Sequence, residues 1–134
     1  MESLSILVVE DAEPFAEALL SGLTEAGYRV KIARNGDDAR SFLLERPVDL
    51  VITDIIMPDG DGFEVIDTTR RLAPNAKIFA MSGGGKLYSA AACLQAAESN
   101  GIEAVFMKPF SLAALFARIE QVFPGRGRTR TTGG

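Results

Sequence analysis

Five side chains have types and spacing that invite chemistry: Glu10 and Asp11, Asp54, Ser82, and Lys108. Each follows directly on an apolar run, at residues 5–9, 48–53, 77–81 and 104–107 respectively, and Ser82 is followed by three glycines at 83–85. Carboxylates, a hydroxyl and one ammonium brought together could hold a divalent cation and a phosphoryl group side by side. One acid behind a strand is ordinarily a loop or helix cap. Three acids behind two strands form a different pattern, because two carboxylates about 4 Å apart repel by roughly 4 kcal/mol at an effective dielectric near 20. Mg²⁺ suits such a set, since it takes one or two carboxylates, keeps waters and accepts phosphate oxygens. Lys108 lies among Phe106, Met107, Pro109 and Phe110. A buried ammonium without a partner is costly, so Lys108 is expected to pair with Asp54.

These residues need a scaffold that brings strand ends together. Strand-like runs at about 4–9, 29–33, 48–53, 77–81 and 103–107 alternate with helical periodicity near 14–26, 36–45, 62–72, 87–99 and 111–123. Strict β-then-α alternation predicts an α/β fold, a parallel sheet with right-handed crossovers and helices on both faces. In such a sheet ligands bind beyond the carboxyl ends of the strands, where the five residues fall. Pro14 suits a first helical turn, Gly27 and Asn100-Gly101 suit left-handed C-terminal caps, and Ser111 suits an N-cap.

The 134 residues fit one domain of ordinary size, and 47% hydrophobic with 24% charged residues describes a globular chain. The organisation expected is a folded body over 1–123 and a flexible Gly/Arg/Thr-rich tail over 124–134. No apolar run approaches the roughly 20 residues of a spanning helix, so no membrane role is expected. Cys93 is the only cysteine, which excludes an internal disulfide and fits a reducing cytoplasm. The chain has no histidine, which removes His-based catalysis and metal ligation, and its net charge of −4 makes nucleic acid an unlikely partner. Two motif look-alikes fail: Leu87 after Lys86 breaks a phosphate-binding P-loop, and Phe63 takes a ligand position of a calcium loop starting at Asp59.

With these residues in place, the chain resembles the receiver domain of two-component response regulators over about 4–123. The resemblance rests on Glu10-Asp11, Asp54 with Met57-Pro58, Ser82, and Lys108-Pro109 in this order and at these intervals. It implies a doubly wound, flavodoxin-like (βα)5 sheet of order 2-1-3-4-5. It also implies Asp54 as phosphoacceptor, taking a phosphoryl group from the phosphohistidine of a sensor histidine kinase or histidine phosphotransfer protein. Asp11, Asp54 and the Ile56 backbone carbonyl would hold Mg²⁺, with Glu10 supporting through water. Lys108 and Ser82 would bind phosphoryl oxygens, and Lys108-Pro109 would be cis. The role implied is signalling through an output protein partner that the sequence does not name. The domain would speed its own phosphoryl transfer and dephosphorylation without being a turnover enzyme. No output domain is recognisable, which points to a stand-alone receiver.

Three departures qualify the resemblance. Family members usually carry an aromatic three residues before the lysine, where this chain has Val105, and Phe106 should point to the opposite face. Ser82 and Lys108 are 26 residues apart, which predicts a lengthened loop or helix around 83–100. Ile56 is apolar where a polar side chain is frequent, and should shield a phosphoryl group from water. Other classes fit less well. A receiver-shaped interaction module would have little use for Asp11, Asp54, Ser82 and Lys108 together. An aspartate phosphatase wants a second aspartate at Ile56, and a flavin site wants aromatic rings that Tyr28 and Tyr88 are not placed to give.

Overall fold

The computed structural model describes residues 3–55, 62–83 and 101–125. The elements are β1 (Ser5–Val9), α1 (Glu13–Glu25), β2 (Arg29–Ala33), α2 (Gly36–Glu45), β3 (Leu50–Asp54), α3 (Gly62–Leu72), β4 (Lys77–Ser82), β5 (Ala104–Met107) and α4 (Leu112–Val122). The five strands are parallel in the order β2-β1-β3-β4-β5. This is the flavodoxin-like arrangement that the resemblance implied. The helix expected over 87–99, the Met57-Pro58 turn and the tail from 126 onward lie outside the described residues.

Alternation along each strand sorts the core into two layers. Ile6, Val8, Leu50, Ile52, Phe79 and Met81 face α1 and α4, meeting Leu19, Leu23, Leu115 and Ile119. Leu7, Val9 and Val51 face the other way, toward Ala39 and Leu43 of α2 and Val65 of α3. Every residue of β3 is buried, because both faces of this central strand are covered. Each fully buried Leu, Ile or Phe contributes roughly 1.5–3 kcal/mol relative to exposure. Val105 packs with Ile55 and Ala80, whereas Phe106 packs against the α1/α4 layer, so the two side chains do point to opposite faces.

Local signals set the helix ends. Pro14 stands in the first turn of α1, and Ser111 Oγ accepts the Ala114 N–H at 3.1 Å. Asn35, which the sequence reading passed over, caps α2 by accepting the Asp38 N–H at 2.8 Å. Gly27 follows α1 with φ of 100°, a conformation that a side chain would oppose.

Sheet pairing continues past the strands into the residues that matter. The backbone N–H of Glu10 donates to Ala33 O at 2.9 Å, Ile55 to Met81 O at 2.9 Å, and Lys108 to Ser82 O at 2.7 Å. Asp54 and Ser82 are therefore the last residues of β3 and β4 and not loop residues beyond them, as the sequence boundaries had it. The ladder fixes their backbones, so little entropy remains to be lost when they bind something.

Gly62 opens α3 against the end of β3. Its N–H donates to Ile55 O at 2.5 Å, and a Cβ there would collide with the Asp54 carbonyl oxygen and approach Ile55 Cα to 2.7 Å. Backbone cannot yield as a flexible side chain can. Gly62→Ala is expected to cost about 2–3 kcal/mol, visible as a lower urea midpoint. An unchanged midpoint would mean that the α3 start can shift freely.

Candidate functional site

At the carboxyl edge of the sheet, the neighbouring central strands β1 and β3 deliver the acids, and β5 delivers the lysine from the far side of β4. Glu10 is 1% exposed, Asp54 6%, and Asp11 stands open to solvent. Ligand oxygens of all three lie within 4.8 Å of one another. The Lys108 ammonium, on a side chain 19% exposed, lies 2.6 Å from Glu10 Oε1 and 3.1 Å from Asp54 Oδ2. Glu10 Oε2 accepts the Ala12 N–H at 3.0 Å, which holds the carboxylate from its other side. Lys108-Pro109 is cis.

The expected pair between Lys108 and Asp54 is present, but Glu10 takes the shorter contact. Glu10 therefore has a lysine-holding position besides the water-mediated metal support expected of it. Ser82 is buried at the end of β4, opposite Met107. Ile56 lies outside the described residues. A side chain that the sequence reading missed also reaches the lysine: the Phe15 ring centroid is 4.6 Å from Nζ. The signal available was an aromatic residue in the first turn of the helix that follows the acid pair.

The electrostatics follow from two buried carboxylates, Glu10 and Asp54, sharing one ammonium. Asp54 is pushed up to about 6, by burial first and by the Glu10 charge second, with Lys108 pulling the other way. Burial works against the Lys108 charge, yet hydrogen bonds and charge from Glu10 and Asp54 outweigh it and raise its pKa. A hard divalent cation fits this donor set. The oxygens are close, Asp11 leaves an open approach, and one lysine does not neutralise three acids.

The Asp54 shift has a consequence for folding. Unfolded, this carboxyl titrates at 3.8. Between that value and about 6 the folded protein keeps a proton that the unfolded chain has lost, so stability falls as pH rises through this window and stays lower above it. With a chelator present, Asp54→Asn should escape that loss. It is expected to exceed wild type at pH 7 by on the order of 1–2 kcal/mol, read from urea midpoints, with the gap closing near pH 4. A gap that does not change with pH would refute the shift.

Comparison with known proteins agrees with this geometry. The family described as "Response regulator receiver domain" matches residues 6–120. The response regulator receiver protein CpdR of Brucella abortus is 33% identical over 117 residues, covering 87% of this chain and 94% of that one. The transcriptional regulatory protein CusR of Escherichia coli is 31% identical over 116 residues, covering 87% of this chain but 49% of CusR. This chain thus spans about half the length of several curated relatives. A solved response regulator from Burkholderia pseudomallei, described with a phosphorylated aspartic acid, calcium ion and citrate, is 28% identical with a TM-score of 0.76. That match covers 87% of this chain and 66% of the other. Names of transcriptional regulators among the relatives give no support to the expectation that nucleic acid is an unlikely partner. Among the described residues, no helix is long and apolar enough to cross a membrane.

Proposed function

The chain belongs to the response regulator receiver family, and from that premise we propose that Asp54 is its phosphoacceptor. The observation that carries this reading is the clustering of Glu10, Asp11 and Asp54 at the carboxyl edge of the sheet, with the Lys108 ammonium held by Glu10 and Asp54. An Asp54 carboxylate oxygen attacks the phosphorus of a phosphohistidine on a sensor histidine kinase or histidine phosphotransfer protein. The O–P bond forms as the P–N bond breaks, and the electron pair of that bond leaves on the imidazole nitrogen.

Little covalent help is needed, so positioning and charge neutralisation carry the step. Asp11 and Asp54 would hold Mg²⁺ directly and Glu10 through water. When bound, the ion supplies neutralisation of phosphoryl charge. Lys108 meets one phosphoryl oxygen and Ser82 another. The acyl phosphate on Asp54 then adds charge and acceptor oxygens, which draw the segment after β4 and alter a surface read by an output protein. The protein acts as a cytoplasmic signalling module and not as a turnover enzyme. The lone cysteine and the phosphorelay chemistry support that reading.

Incubation with acetyl phosphate and Mg²⁺, followed by intact-protein mass spectrometry, tests the proposal. A gain of one phosphate that a chelator prevents is the expected result. No gain from acetyl phosphate or from a phosphohistidine donor would leave the domain a non-phosphorylated interaction module.

A further inference from the structure

The Lys108 ammonium sits over the Phe15 ring, 4.6 Å from its centroid, while donating to Glu10 and Asp54. A lysine ammonium has three N–H donors. Two are directed at carboxylates. The face of a ring attracts the cation through its quadrupole and demands no particular N–H direction, so donor capacity remains for an arriving phosphoryl oxygen. A third carboxylate in the same place would consume that capacity.

The ring is braced. Phe15 meets Phe110 edge-on, with centroids 5.6 Å apart and planes at 83°. Phe110 meets Phe106 at 5.1 Å, and Phe106 meets Phe79 at 5.6 Å in the fully buried interior. Four rings thus run from the core to the lysine along the α1/α4 face, opposite the face on which Val105 replaces the usual aromatic. A ring anchored in this way cannot swing aside without disturbing close-packed neighbours.

We propose that Phe15 is a positioning residue for phosphoryl transfer: its ring seats the Lys108 ammonium between Glu10 and Asp54 with an N–H left for the phosphoryl group. The proposal rests on the reading of Asp54 as phosphoacceptor. With acetyl phosphate, the Asp54 oxygen bonds to phosphorus while the bond from phosphorus to the acetyl oxygen breaks, and acetate leaves with the electron pair. Lys108 gives up no proton and serves as a placed charge.

The test compares wild type with Phe15→Leu, which keeps bulk and apolarity, and Phe15→Tyr, which keeps the ring. Two quantities are read. One is the rate of labelling by acetyl phosphate with Mg²⁺. The other is the NMR shift of the Lys108 ε-methylene protons before labelling. An upfield ring-current displacement is expected in wild type and Phe15→Tyr and not in Phe15→Leu. Labelling should slow about three- to tenfold in Phe15→Leu and recover to within about twofold of wild type in Phe15→Tyr. Equal rates for wild type and Phe15→Leu would overturn the seat while leaving the receiver reading intact. So would equal slowing in both variants, which signals packing alone. Failure of wild type itself to label, from acetyl phosphate and from a phosphohistidine donor alike, would sink the reading of Asp54 as phosphoacceptor, a result distinct from either. If Phe15→Leu does not fold, judged by circular dichroism, Phe15→Met takes its place with the same expected slowing.

Discussion

Asp54→Ala should gain no phosphate under conditions that label the wild-type protein, a loss of at least about 10³-fold in rate. The outcome is not trivial, because two other carboxylates have oxygens within 4.8 Å of the Asp54 site. Glu10 cannot readily take over. It is 1% exposed, one oxygen accepts the Ala12 N–H and the other holds Lys108. Asp11 is open to solvent and belongs to the stretch between β1 and α1, without the ladder that fixes the end of β3. Asp54 alone combines a backbone locked by pairing with Met81, a direct contact to the lysine, and a place beside both neighbours. Peptide mapping of the labelled wild type should place the phosphate on the segment that contains Asp54. Labelling of Asp54→Ala at the wild-type rate would put the acceptor elsewhere.

Lys108→Ala is expected to slow labelling by about 10²- to 10³-fold, the scale lost when one fixed cation or donor facing transition-state charge is removed. It should also lower stability at pH 7 by about 2–3 kcal/mol, because the buried Glu10 and Asp54 carboxyls lose their counterion. The sign can be checked. A lysine whose pKa is raised by folding contributes stability that is fully present at pH 7 and is lost only at pH above its ordinary 10.5. In the variant, acidification should recover part of the deficit, since Asp54 protonates more readily without the cation. Labelling kinetics and urea midpoints at pH 5 and 7 read both effects. Undiminished labelling would show that the phosphoryl group never meets the lysine, and an undiminished midpoint that Glu10 and Asp54 find other compensation.

Much of this was legible without coordinates. Apolar runs around residues 7, 51 and 79 could be strands only if covered on both faces, and β/α alternation then forces a parallel sheet. A residue one step past a strand cannot stray far from it. Glu10, Asp54, Ser82 and Lys108 therefore had to gather at one edge whatever the loops did. Ser111 and Pro14 announced helix starts by chemistry local to a few residues. Boundaries were less legible. Asp54 and Ser82 are inside their strands, because ladder pairing to Met81 and Met107 depends on neighbours distant in sequence.

The sequence by itself determined the fold class, the edge at which the site forms and the residue types present there, because these follow from periodicity and covalent connection. Only the tertiary structure decided how those residues share one another. Lys108 leans closer to Glu10, 98 positions away, than to Asp54. Phe15 lies against the lysine, Asp54 is pushed up to about 6, and Gly62 fits against the Asp54 carbonyl. Each is a matter of a few ångströms between distant parts of the chain. Burial and Coulomb energy change steeply over such distances, and no spacing along the sequence encodes them.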